Sequence, residues 1–71
     1  MNEKVKKNMQ KMLQIADKIK SECDYIAELV DDLTTDDDLC SIESSFDNVE
    51  RWAKEGHSVC RSTYDEFEEE E

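Results

Sequence analysis

Proline is absent from this 71-residue sequence, and glycine occurs once, as Gly56. These are the two residues a helix interior tolerates least, at about 3 and about 1 kcal/mol relative to alanine. Nothing before Gly56 therefore interrupts helix formation strongly. No apolar run approaches the ~18 residues of a membrane span. The lysines near the N-terminus are not followed by the apolar block of a secretory signal. Three cysteines, Cys23, Cys40 and Cys60, are an odd number without a C-x-x-C pair. That spacing argues against a disulfide framework and for a reducing compartment. Basic residues are missing altogether between positions 21 and 50.

What is present is regular. Hydrophobic residues make up 37% and charged residues 41%, and the apolar ones recur at helical spacing, which separates this chain from a disordered one. Val5, Met9, Met12, Ala16, Ile19, Cys23, Ile26, Val30 and Leu33 alternate steps of four and three, the spacing of a coiled-coil seam. Leu13, Ile15, Ala27 and Leu29 flank it and widen it toward the stripe of a bundle. A helix is expected over 2–33. The stretch 34–37 has no apolar residue and reads as an acidic turn, with Thr35 and Asp38 at the spacing of a helix start. A second helix follows over 38–55, with Leu39, Ile42, Phe46, Val49 and Ala53 as its stripe and Trp52 beside it. Gly56 either ends that helix, with Ser58 capping a third short helix over 58–67, or lies inside one long helix; the break or kink is favoured. Residues 68–71 read as a frayed acidic tail. The expected fold is one all-α domain over 1–71, an antiparallel helical hairpin. Leu13, Ile15, Leu29 and Trp52 would be left partly exposed, for a homodimer forming a bundle or for a docked target to cover.

Charge is segregated into blocks. Residues 1–20 carry net +4, residues 21–50 net −11, residues 51–64 net +2 and residues 65–71 net −6. A hairpin gathers the second block at its turn: Glu22, Asp24, Glu28, Asp31, Asp32, Asp36, Asp37, Asp38, Glu43, Asp47 and Glu50. Spread over 20–25 Å of helix, that is about one negative charge per 2 Å, near the ~1.7 Å per charge of duplex DNA. Net charge of −11 disfavours direct contact with nucleic acid or an anionic membrane and favours basic protein surfaces. Trp52 and Leu29 are the candidate apolar anchors of such a contact.

Other chemistry is weakly supported. Residues 32–43 resemble a calcium EF-hand loop, with Asp32, Thr34, Asp36 and Asp38 at the first four ligand positions and Glu43 at the last. Asp37 stands where the loop's sharp turn wants glycine, Asp31 precedes the loop where an apolar residue is usual, and Ser44 and Asp47 take places that normally pack. His57 and Cys60 are three apart, but a nucleophile pair also needs an orienting group and a cleft. The three cysteines and one histidine lack the paired spacing of a zinc site. The sequence thus carries no expected catalytic residue, metal or cofactor. In size, acidity and helical content it is similar to the acidic inhibitors that phages direct against host nucleases and defence complexes. That likeness implies a non-enzymatic, DNA-mimicking inhibitor of a nucleic-acid-binding protein, working in the cytoplasm of a bacterium or infected host. The alternative is a coiled-coil adaptor or oligomerisation module whose acidity serves solubility only.

Overall fold

The computed structural model describes residues 2–70, with side chains through Glu68. Helix α1 spans Glu3–Asp31 and helix α2 spans Asp36–Glu70. They pack antiparallel along their lengths into a rod of 55 × 14 × 11 Å. Its radius of gyration of 16.3 Å exceeds the about 11 Å of a compact domain of this length. No described helix is long and apolar enough to cross a membrane.

The helix ends are built by side chains. The Asn2 carboxamide oxygen accepts the Val5 backbone N–H at 2.8 Å and opens α1. At the other end the N–H of Asp32 reaches the Glu28 carbonyl at 3.1 Å, and that of Leu33 the Val30 carbonyl at 3.2 Å. The helix thus closes at Asp31, two residues earlier than the expected 33. The turn shifts with it, because the Asp38 carboxylate accepts from the N–H groups of both Thr34 and Thr35. That makes Thr35 the residue before the helix and starts α2 at Asp36 rather than at 38. The expected break near Gly56 is absent: α2 runs through it without positive φ, so residues 58–67 continue the same helix. The expected tail over 68–71 lies partly outside the described residues; α2 itself reaches Glu70.

The seam differs from the expected one by half its members. Asn8 donates to Thr63 at 3.0 Å, and a Cβ built at Gly56 would meet the Ile15 side chain at 3.5 Å. These two contacts set the register: seven residues forward in α1 correspond to seven back in α2. With Val5 labelled position a of a heptad, the core side of α1 is Val5, Met12, Ile19 and Ile26 at a, and Asn8, Ile15, Glu22 and Leu29 at d. All eight are buried or half-buried. On α2 the same side carries Ile42, Val49, Gly56 and Thr63 at a, and Asp38, Ser45, Trp52, Val59 and Glu66 at d, again buried or half-buried. Met9, Ala16, Cys23, Val30 and Leu33, expected in the seam of α1, are exposed. So are Leu39, Phe46 and Ala53 of the α2 stripe. Ile15 and Leu29, expected to be left for a dimer, are used within the hairpin: Ile15 is 6% exposed and Leu29 half-buried.

The sequence pattern reads both ways because a, d and e are all populated by apolar residues in places. The observed phase sets Gly56 opposite Ile15 and puts Trp52 in the seam. Asn8, Glu22, Ser45 and Thr63 come with it as polar core members. Thr63 is satisfied twice, accepting from Asn8 and donating to the Val59 carbonyl at 2.7 Å. The open end of the hairpin is stitched by Asn2 and Lys4, which reach the Glu66 carboxylate at 3.5 and 3.6 Å; at the surface such pairs contribute less than about 1 kcal/mol each.

Because Gly56 is an ordinary helical residue, its lack of a side chain carries a cost. Gly56→Ala adds a methyl at normal van der Waals distance from Ile15. It should stabilise the hairpin by about 1 kcal/mol, raising the melting temperature by about 4–8 °C. A lower melting temperature in calorimetry would mean that Ile15 cannot accept the methyl.

Candidate functional site: the acidic turn end and the two flanks

Four residues, 32–35, reverse the chain. Neither proline nor glycine helps. The work is done by one carboxylate. An oxygen of Asp38 accepts the N–H of Thr34 at 2.9 Å, the N–H of Thr35 at 3.0 Å and the Thr34 hydroxyl at 3.1 Å. In return the Asp38 N–H donates to the Thr35 hydroxyl at 3.3 Å, which completes a reciprocal capping box. The Thr34 N–H, then that of Thr35, hold the Asp38 carboxyl below its ordinary value, with the hydroxyls adding to this and slight desolvation opposing it. Asp36 and Asp37 add favourable charge to the first turn of α2, where the helix dipole welcomes it.

Around this turn the structure brings together the predicted acidic residues, but as a jacket rather than one face. Asp24 and Asp31 stand at the heptad place farthest from the seam of α1, and Asp47 at the same place on α2. Asp24, Glu28, Asp31, Asp32, Asp36, Asp37, Glu43, Asp47 and Glu50 are exposed. Glu50 is the member with an ion pair, to Lys54 at 3.5 Å. Two members are spent differently. Asp38 is the turn's acceptor, and Glu22 is half-buried at a seam position beside Tyr25, Ser45 and Asn48. The two proposed anchors, Trp52 and Leu29, are half-buried between the helices.

No group of three or more described His, Cys, Asp or Glu side chains could hold a metal ion. The EF-hand likeness fails structurally at its fifth position, Asp36, where α2 already begins. The three cysteines are free and exposed; Cys60 lies against Met12, with the sulfurs 3.8 Å apart.

A second feature escaped the sequence reading. In an antiparallel pair, position e of each helix lies on one flank of the seam and position g on the other. The g flank is polar: Lys4, Lys11, Lys18 and Tyr25 on α1 face Ser41, Asn48, Glu55 and Ser62 on α2, and Tyr25, Ser41 and Asn48 line one shallow groove there. The e flank is apolar throughout. On α1 it carries Met9, Ala16, Cys23 and Val30; on α2 it carries Leu39, Phe46, Ala53, Cys60 and Phe67, all exposed. Leu13, Ala27 and Tyr64 extend it outward. The Cys60–Met12 contact crosses from one helix to the other on this flank. The signal was in the sequence as residues of the expected seam; only the phase of the core decides that they face outward.

The hydrogen bonds to Asp38 give the turn a pH dependence of known sign. A carboxyl whose folded pKa lies below its unfolded value, about 3.9 for Asp, adds stability above that value and loses it as pH falls through the folded one. Asp38→Ala should melt below the native chain near neutral pH, and the gap should narrow as pH drops below about 4. Thermal melts showing a constant gap across the acid range would mean that the ionised carboxylate does not hold the turn.

No protein-family model, curated protein or solved structure matches the chain.

Proposed function

We propose that the chain acts by binding, with the turn end as its contact, and that its partner is a basic protein surface of the kind that ordinarily holds nucleic acid. It would serve there as a small acidic inhibitor that mimics nucleic acid, with no reaction of its own. The observation that supports this most is the segregation of charge: residues 21–50 hold eleven acids and no base, and the reversal at 32–35 folds them back on themselves into one end of a narrow rod. Concentrating like charge is costly to the fold, and Asp31 and Asp32 sit at the end of α1 where the dipole disfavours them. A basic cleft would offset that cost and would take the rod end-on, with acids on both outer surfaces available to its walls. Affinity of this origin is steeply salt-dependent. A second reading, a non-catalytic coiled-coil adaptor, is favoured by the apolar e flank and makes the acids a solvated surface.

The two readings part on one comparison. Asp31, Asp32, Asp36 and Asp37 are changed together to Asn or Ser, leaving Asp38 to hold the turn. The probe is a sequence-nonspecific DNA-binding protein carrying a labelled duplex, with the chain as competitor at low and moderate salt. The native chain should displace the duplex at low salt and lose most of that ability when salt is raised. The neutralised variant should compete at least tenfold less well while keeping its helical circular dichroism. Equal competition by both forms would reduce the acidic end to a solvated surface and leave the adaptor reading.

A further inference from the structure

We propose that the apolar e flank seats a second copy of this chain, packed head-to-tail so that two hairpins form a four-helix bundle. The heptad pattern supports this first. A two-helix seam needs apolar residues at a and d alone, whereas helices of a larger bundle carry a third apolar position per heptad. Here position e is apolar in every heptad of both helices from Met9 to Phe67, while the a and d positions that close the hairpin tolerate Asn8, Glu22, Ser45 and Thr63. The better apolar stripe thus faces outward.

Area supports it second. The chain exposes 5661 Å². A compact folded chain of 8.3 kDa is expected to expose about 4,600 Å². The excess, about 1,100 Å², matches what one partner contributes to a stable interface, about 800 Å² or somewhat more. That excess belongs to the rod shape as a whole, and what marks this flank is its composition: Leu13, Phe46 and Phe67 are each at least half exposed on it, and a contiguous apolar stripe of this kind marks an interaction site.

Charge selects the orientation. Placing the two turn ends together would stack one −11 block on another. Turning one copy end for end separates those blocks by the length of the rod, 55 Å. With the two-fold axis perpendicular to the rod, α1 lies against its own copy. Lys6, at the same heptad place as Leu13 and Ala27, then comes nearest the partner copy's acidic end of α1. The small residues Ala16 and Ala53 fall near the axis, where the backbones must come closest. The opposite flank offers Tyr25 as its one apolar residue among charged and hydroxyl side chains, so the assembly closes at two copies.

Sedimentation equilibrium and double electron–electron resonance test this on the full chain. The native protein should show twice the chain mass at micromolar concentration. Leu13→Gln with Phe46→Gln keeps charge unchanged and should weaken the dimer by roughly a hundredfold or more, while Tyr25→Gln on the other flank should leave it intact. Circular dichroism of all variants should remain helical; should the double variant lose helix, Leu13→Gln alone serves, since Leu13 is 66% exposed. For orientation, a spin label is placed at Asp37→Cys in a chain whose three cysteines are replaced by alanine, which keeps Cys23 and Cys60 of the flank apolar. The two labels should lie apart by a distance of the order of the 55 Å rod. A monomer at high concentration, an assembly larger than two, or a dimer indifferent to the flank substitutions would overturn the proposal. Labels close together would overturn the head-to-tail arrangement.

Discussion

Everything in this fold depends on one carboxylate oxygen at the turn. The chain contains no proline and no glycine within twenty residues of its reversal, so the backbone has no intrinsic reason to leave the helix there. Asp38 supplies it by holding the N–H groups of Thr34 and Thr35. Those donors are then satisfied outside a helix, α1 stops at Asp31 and α2 starts at Asp36. Fixing the start of α2 fixes its rotation, and the rotation decides that Gly56 meets Ile15 and that Thr63 meets Asn8. A turn one residue longer would rotate α2 by about 100° and bring a different stripe to the seam. The identity of the exposed flank is therefore set at the far end of the rod from Phe67.

The two helices, the polar turn with its Thr35–Asp38 cap, and the gathering of acids around that turn were all legible in the residues, because each has a local signature: heptad spacing, capping chemistry and charge sign. The phase of the core was not. Val5, Met12, Ile19 and Ile26 belong to both candidate seams, and the choice falls on the positions three residues on, where Asn8 and Glu22 stand, over those four on, where Met9 and Cys23 stand. Counting apolar residues favours the second set. What decides is a relation between helices, the rotation of α2 that the turn sets, and no single-helix pattern carries it. Gly56 misled for the same reason. Its local propensity argues for a break, whereas the packing of α2 on α1 carries the helix through it, opposite Ile15. The eleven acids were found by position, yet their division into Asp38 as a structural acceptor, Glu22 as a seam residue and the rest as free surface required the geometry.

Charge and apolar surface are thus laid out on separate axes of the molecule. Along the rod, charge runs from the mixed, ion-paired open end, with Lys4 on Glu66, to the unrelieved acids of the turn. Across the rod, apolarity runs from the hydroxyl and lysine side chains of the g flank to the aromatic and aliphatic e flank. The two gradients do not compete for the same residues. A contact made end-on through charge and a contact made side-on through apolar area can be occupied together. The inhibitor and adaptor readings consequently concern different surfaces.

The register also grades the contacts by the length of chain they close. Side-chain contacts close to the turn join residues four apart, as Thr34 and Asp38 do; those farther along join residues 55 apart at Asn8–Thr63 and 64 apart at Asn2–Glu66. Loop closure becomes steadily more expensive along that series unless each inner contact forms first. The cheapest closure is therefore the one at Thr34, and it lies in the part of the chain with the greatest density of like charge. Salt, which screens exposed charges over distances near 10 Å, acts most on that end, while the contacts of the lysine-bearing open end close the longest stretch of chain.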